Sequence, residues 1–143
     1  MRKIKSGLLI AIIVFAVFTK LSFSQDSKSH VYEMNYLTIP YEQLDEFIKF
    51  YEMYGKPLDA QNEYIVSVKL FRHNFGPSWN ICFLTEYKDL EGFVAARKRG
   101  DELFEKMFTD KSKRDEIDKK FMGYLKGHTD ALVNDYPNLE KMK

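Results

Sequence analysis

Tyr64-Ile65-Val66-Ser67-Val68-Lys69-Leu70-Phe71-Arg72-His73, Asn74-Phe75-Gly76-Pro77-Ser78 and Trp79-Asn80-Ile81-Cys82-Phe83-Leu84-Thr85-Glu86-Tyr87 are consecutive pieces of one pattern. The first piece alternates, with Tyr64, Val66, Val68 and Leu70 on one side and Ile65, Ser67, Lys69, Phe71 and His73 on the other. That is the period of a strand. The second piece is dense in turn formers and the third reads as the returning strand, so the segment predicts a hairpin.

Working outward, His30 to Ile39 alternates again, with Tyr32, Met34 and Tyr36 opposite Val31, Glu33, Asn35 and Leu37, and Pro40 ends it. Leu44, Phe47, Ile48 and Tyr51 then fall on one helical stripe, and Gly55 followed by Pro57 supplies a stop. Downstream of the hairpin, Asp89 is a natural N-cap for a helix carrying Leu90, Phe93, Val94, Arg97, Phe104, Met107 and Phe108. Gly100 falls on that stripe and either breaks the helix or lets it approach the sheet closely. Ser112 with Asp115 starts a third helix whose stripe is Ile117, Phe121, Tyr124 and Leu125 and which ends near Gly127; Thr129 to Val133 is a candidate last strand. The fold class is therefore α+β, a ferredoxin-like split βαβ sandwich with one antiparallel sheet covered by helices on one face and an extra C-terminal helix.

The ends of the chain bear on compartment. Met1 to Lys5 is basic, Gly7 to Thr19 is uncharged and mostly apolar, and Ser22-Phe23-Ser24 offers small residues before Gln25. Residues 1–24 thus read as a secretory signal, with a periplasmic or secreted product beginning at Gln25. A membrane span needs about 20 apolar residues, and Lys20 interrupts the run, although Leu21 and Phe23 could extend an uncleaved anchor. Removing the signal takes four of the 22 basic residues and leaves 18 against 21 acidic ones, net −3. A nucleic-acid partner is not expected at that balance, and no membrane contact is expected after cleavage. Residues 25–30 read as a flexible lead, 31–134 as one domain and 135–143 as a polar tail. Cys82 is the only cysteine and lies in an apolar run, so it is expected to pack as a small hydrophobe.

The element order, the Val31-Tyr32-Glu33-Met34-Asn35-Tyr36 strand, the aromatic hairpin and the helix Phe93-Val94-Ala95-Ala96 together resemble the dimeric α/β-barrel superfamily. Antibiotic-biosynthesis-type monooxygenases, haem-binding and haem-degrading barrels, muconolactone-isomerase-like enzymes and NIPSNAP-like proteins belong to it. The resemblance covers about residues 31 to 134 and implies a homodimer in which two four-stranded sheets pair. It also implies a cavity, either between sheet and helices or within the barrel. The insertion from Ser112 to Gly127 departs from the shortest members and leaves the position of the last strand open.

Nucleotide-binding, zinc-finger and hydrolase signatures do not occur. His30, His73 and His128 are remote from one another, so no metal site is expected. If Val66, Val68 and Leu70 pack under the helices, Ser67, Lys69 and His73 project to the opposite face, which is either open to water or enclosed by a second copy. Enclosed, Lys69 would pair with Glu33, and Glu33, Asn35, Ser67, Lys69 and His73 would line a ligand pocket with Phe71 and Trp79 as walls. His128 and Asp130 form a second candidate, in which the carboxylate orients the imidazole or caps the next turn. Phe71, Ile81 or Phe83 on the open face would demand a cover, which supports the homodimer. Three readings follow: an exported domain binding a small apolar or aromatic ligand without a cofactor, a monooxygenase or haem-handling enzyme using His73 or His128, and an accessory protein acting through its dimer surface.

Overall fold

The computed structural model describes residues 29–74, 76 and 78–137. The expected export signal at residues 1–24, the lead up to residue 28 and the tail beyond 137 lie outside the described residues. Strand β1 spans Val31–Thr38, followed by a 3-10 turn at Tyr41–Gln43 and helix α1 at Leu44–Gln61. The hairpin is β2, Ile65–Arg72, and β3, Ile81–Tyr87; helices α2, Leu90–Met107, and α3, Lys111–Tyr124, precede β4, Gly127–Asn134. The sheet order is β2-β3-β1-β4 with every neighbouring pair antiparallel. This is the ferredoxin-like arrangement expected, and the last strand is longer than Thr129 to Val133.

The helices cover one face of the sheet. Leu37, Ile39, Leu44, Phe47, Phe50, Ile81, Ile117 and Tyr124 form its main buried cluster, and Val31, Tyr87 and Ala96 a second one. Asn80 is buried beside the first cluster and clamps Ile39 from both sides, accepting from its N–H at 2.9 Å and donating to its carbonyl at 2.6 Å. The return strand therefore begins at Ile81 rather than Trp79, because Asn80 is used to hold the end of β1.

Four expectations are corrected. Helix α1 does not stop at Gly55 and Pro57 but continues to Gln61. Gly55 serves packing: a Cβ there would lie 2.4 Å from Cδ2 of Tyr51, so its absence makes room for that ring. Helix α2 begins as expected, with the Asp89 carboxylate accepting from the Gly92 N–H at 2.7 Å, and runs through Gly100. Its inward residues are Ala96 and Leu103, whereas Leu90 and Val94 are 57% and 61% exposed. Ala96 sits inward because its carbonyl accepts from Asn62 Nδ2 at 2.8 Å, which ties α2 to the end of α1. Helix α3 is capped by Asp110, not Ser112, and Arg114 donates to the carbonyls of Phe108 and Thr109 that the end of α2 leaves open.

The fourth correction concerns β2. A register shift between Ile65 and Ser67 puts both Ile65 and Val68 on the helix side and leaves Val66 53% exposed. At the chain ends, His30 is not loose: its N–H donates to the Asp135 carboxylate at 2.7 Å, and the Ser29 hydroxyl donates to the Asp135 carbonyl at 3.2 Å.

Candidate ligand cleft between sheet and helices

The register decides which expected site residues meet. Glu33 lies opposite Thr85, Asn35 opposite both Phe83 and Asp130, and Leu37 opposite both Ile81 and His128. Directly paired residues share a face, so Glu33, Asn35, His128 and Asp130 stand with Leu37 and Ile81 on the helix side. Ser67, Lys69 and Phe71 pair with Glu86, Leu84 and Cys82 on the other side, with Tyr32, Met34 and Tyr36. The expected pocket is thus divided by the sheet itself. The pairing of Lys69 with Glu33 is ruled out in this chain, and Ile81 and Phe83 face the helices rather than the open side.

On the helix side the polar groups converge. Glu33 is only 6% exposed. Its Oε1 accepts from the Arg97 guanidinium and from Asn35 Nδ2 at 3.2 Å, and its Oε2 accepts from the Tyr87 hydroxyl at 2.9 Å. Asn35 Nδ2 also donates to Asp130 Oδ1 at 2.7 Å, and that oxygen lies 2.8 Å from His128 Nε2. Burial, followed by the neighbouring Glu33 charge, holds the Tyr87 hydroxyl well above its ordinary pKa, so it remains a neutral donor.

Beside this network the helices part from the sheet. An inner cavity of about 340 Å³ is lined by Glu33, Thr85, Tyr87, Arg97 and Asp101 among others, with Phe83 and Phe121 as apolar walls. An outer cavity of about 560 Å³ lies between α1 and β2, against Ile48, Glu52, Lys56, Ser67 and Leu70. Tyr51, Asp59, Asn62, Ile65 and Val68 line both, so the two make one cleft. At the shared wall the Tyr51 hydroxyl donates to Asp59 Oδ2 at 2.7 Å, and the Tyr51 ring packs edge-on to Phe83 with centroids 4.7 Å apart. Burial pushes the Asp59 carboxyl up, against the opposing hydrogen bond from Tyr51; burial and Asp59 likewise push the Tyr51 hydroxyl up.

Of the residues expected from sequence, Glu33 and Asn35 line the inner part of this cleft and Ser67 borders its outer part from the edge strand β2 while its hydroxyl bonds Glu86 on the other face, whereas Lys69, Phe71, His73, Trp79, His128 and Asp130 do not line it. His73 stacks on Trp79 at 4.5 Å and its Nδ1 lies 2.9 Å from the Trp79 carbonyl, at the far end of the hairpin. Lys69 is exposed and makes no ion pair among the described residues. Arg97, Tyr51, Asp59, Tyr87 and Asn62 were not expected in a site. Arg97 carried a signal, since it is the one charged residue in the apolar stripe of α2, and a cation there needs a buried partner.

The open face of the sheet has its own polar cluster. Glu86 accepts from Ser67 Oγ at 2.6 Å and lies 2.5 Å from His30 Nδ1. Ser67 foremost, then His30, hold its carboxyl below the usual range. Phe71 is 47% exposed on this face, and Cys82 is buried with its thiol pushed up by burial. Among the described residues no group of three or more His, Cys, Asp or Glu could hold a metal ion, and no helix is long and apolar enough to cross a membrane.

No protein-family model and no curated protein matches the sequence. Solved structures do match. The chain is similar to an uncharacterised NIPSNAP domain protein from Burkholderia xenovorans, with a TM-score of 0.59 and 18% identity over 78% of this chain and 99% of that one. It is similar to a dimeric ferredoxin-like protein from an uncultured marine organism, with a TM-score of 0.57 and 12% identity over 82% and 95%. It is also similar to an EthD family protein from Bacillus halodurans, with a TM-score of 0.55 and 18% identity over 75% and 99%. At these identities the likeness shows the fold, which this chain shares with NIPSNAP-domain and ferredoxin-like proteins.

Proposed function

We propose that the protein is an exported, homodimeric binding domain that holds a small apolar or aromatic molecule in the cleft between sheet and helices. The observation that carries this reading is the cleft itself: apolar walls from Ile65, Val68, Phe83 and Phe121 enclose a few fixed polar groups around Glu33 and Asp59. Ligand sites are concave, largely apolar and oriented by a small number of such groups. The polar groups are positioned by secondary structure rather than by loops, which suits a preformed site. Export is supported by the three-part pattern of residues 1–24.

Chemical-shift mapping with ligand recovered from native protein, identified by mass spectrometry, tests the site. Shifts should cluster at Tyr51, Asn62, Val68 and Phe83; shifts confined to Phe71, Lys69 and their open-face neighbours would overturn the assignment.

The homodimer rests on the open face, where Phe71 and Val133 are 47% and 41% exposed beside Tyr36, Met34 and Leu84. A sheet face of that composition favours a cover, and one of the similar folds is described as dimeric. Sedimentation at micromolar concentration should give twice the mature mass. A monomer alone would remove the dimer from the proposal and leave the cleft unaffected.

A further inference from the structure

We propose that the molecule taken by this cleft is a small organic cation, an apolar or aromatic body bearing one protonated amine, and that the Asp59 carboxylate receives the ammonium. This rests on the reading of the cleft as the ligand site and goes on to name the ligand's chemistry. Most polar groups in the cleft already have their partners. Glu33 is neutralised by Arg97 and further bonded to Tyr87 and Asn35, while Asn62 donates to the Ala96 carbonyl and accepts from the Tyr64 N–H.

Asp59 differs. It is half-buried, it lines both the inner and the outer cavity, and among the described residues its side chain is bonded only through Oδ2, to the uncharged hydroxyl of Tyr51. Among the described residues no Lys, Arg or His forms an ion pair with it, although Lys56 lines the outer cavity. A carboxylate in a cavity that Ile65, Val68 and Phe83 also line, without a cation, is costly to ionise, and burial raises its pKa accordingly. A ligand ammonium supplies the missing charge and can bond the free Oδ1. The field of the whole cleft agrees: Glu33, Glu52, Asp59 and Asp101 face only Lys56 and Arg97, so a cation is attracted and an anion repelled. Phe83 and the Tyr51 ring offer the apolar contact for the body of the molecule.

The pH dependence has a fixed sign. Asp59 is faced by Tyr51, Glu52 and Lys56 from its own helix, by Glu33 and Tyr87 from the sheet, and by Arg97 and Asp101 from α2. Amine binding needs the ionised carboxylate, so affinity rises with pH through the raised pKa of Asp59, while a neutral ligand of the same shape shows no such rise.

The mature full-length chain is titrated with 2-phenylethylamine, 2-phenylethanol and 3-phenylpropionate by NMR. The amine should bind at least about tenfold more tightly than the alcohol, as a charge-assisted hydrogen bond allows, with the propionate weakest. Asp59→Asn should abolish that advantage and keep alcohol binding. If Asp59→Asn does not fold, the pH series on the unaltered chain replaces it, and the advantage must shrink as pH falls. Equal binding of amine and alcohol, or tightest binding of the propionate at Arg97, overturns the cation proposal and leaves the cleft as the ligand site. Failure of all three to shift cleft resonances overturns both.

Discussion

Phe47→Ala is expected to lower stability by about 3 to 5 kcal/mol, the range for truncating a fully buried phenylalanine. Phe47 is 1% exposed and lies where sheet, α1 and α3 meet. Its ring is 6.3 Å from those of both Phe83 and Phe121 and 5.6 Å from that of Tyr124. Phe83 belongs to β3 and Phe121 and Tyr124 to α3, so the neighbours cannot all move inward to fill the space, and part of the cavity cost remains. For a domain of this size the melting temperature should fall by more than about 10 °C. The effect extends to the site because Phe83 and Phe121, which Phe47 supports from behind, wall the inner cavity. Urea denaturation combined with ligand titration checks both parts. A loss under about 1 kcal/mol would show that the aromatic cluster repacks freely and does not fix the shape of the cleft.

What could be read from sequence follows from where the physical signal lies. The strands were legible because β1 and β2 alternate along the chain and β3 returns after a run of turn formers; the cap at Asp89 was legible from its residue type, whereas Ser112 was read in place of Asp110. The end of α1 was not legible. Gly55 and Pro57 carry a stop signal, and only the position of the Tyr51 ring explains why glycine is needed there.

The site was half-legible for a similar reason. Both faces of β1 carry apolar residues, Tyr32, Met34 and Tyr36 on one side and Val31 and Leu37 on the other, so composition does not say which side meets the helices. That depends on register across strands far apart in sequence, and a one-residue slip exchanges the faces. Glu33 and Asn35 were therefore singled out as candidates but placed with Lys69. The true partners, Arg97 and Tyr87, come from α2 and β3, and Asp59 is reached only because α1 continues past its proline.

The error over Glu33 leads to the second large effect, on which the electrostatics of the cleft depend. Removing one member of a buried ion pair costs about 3 to 5 kcal/mol because the other charge is stranded. Arg97→Met should fall below that, at about 2 to 3 kcal/mol, since the Arg97 side chain is 60% exposed and its pairing is partly screened. Glu33 also keeps its bonds from Tyr87 and Asn35 after the change. Adding Glu33→Gln to Arg97→Met removes the stranded charge and should restore part of the loss. The cycle should give a coupling above about 1 kcal/mol, more than an exposed pair provides. The same cycle with Lys69→Met in place of Arg97→Met should be additive within about 0.5 kcal/mol, because Lys69 stands on the opposite face of the sheet. Denaturant titrations of the five variants and the unaltered chain measure both couplings under one set of conditions. A Lys69 coupling as large as that of Arg97 would mean that Glu33 faces away from the helices. The cleft would then lose the buried carboxylate around which its polar groups are arranged.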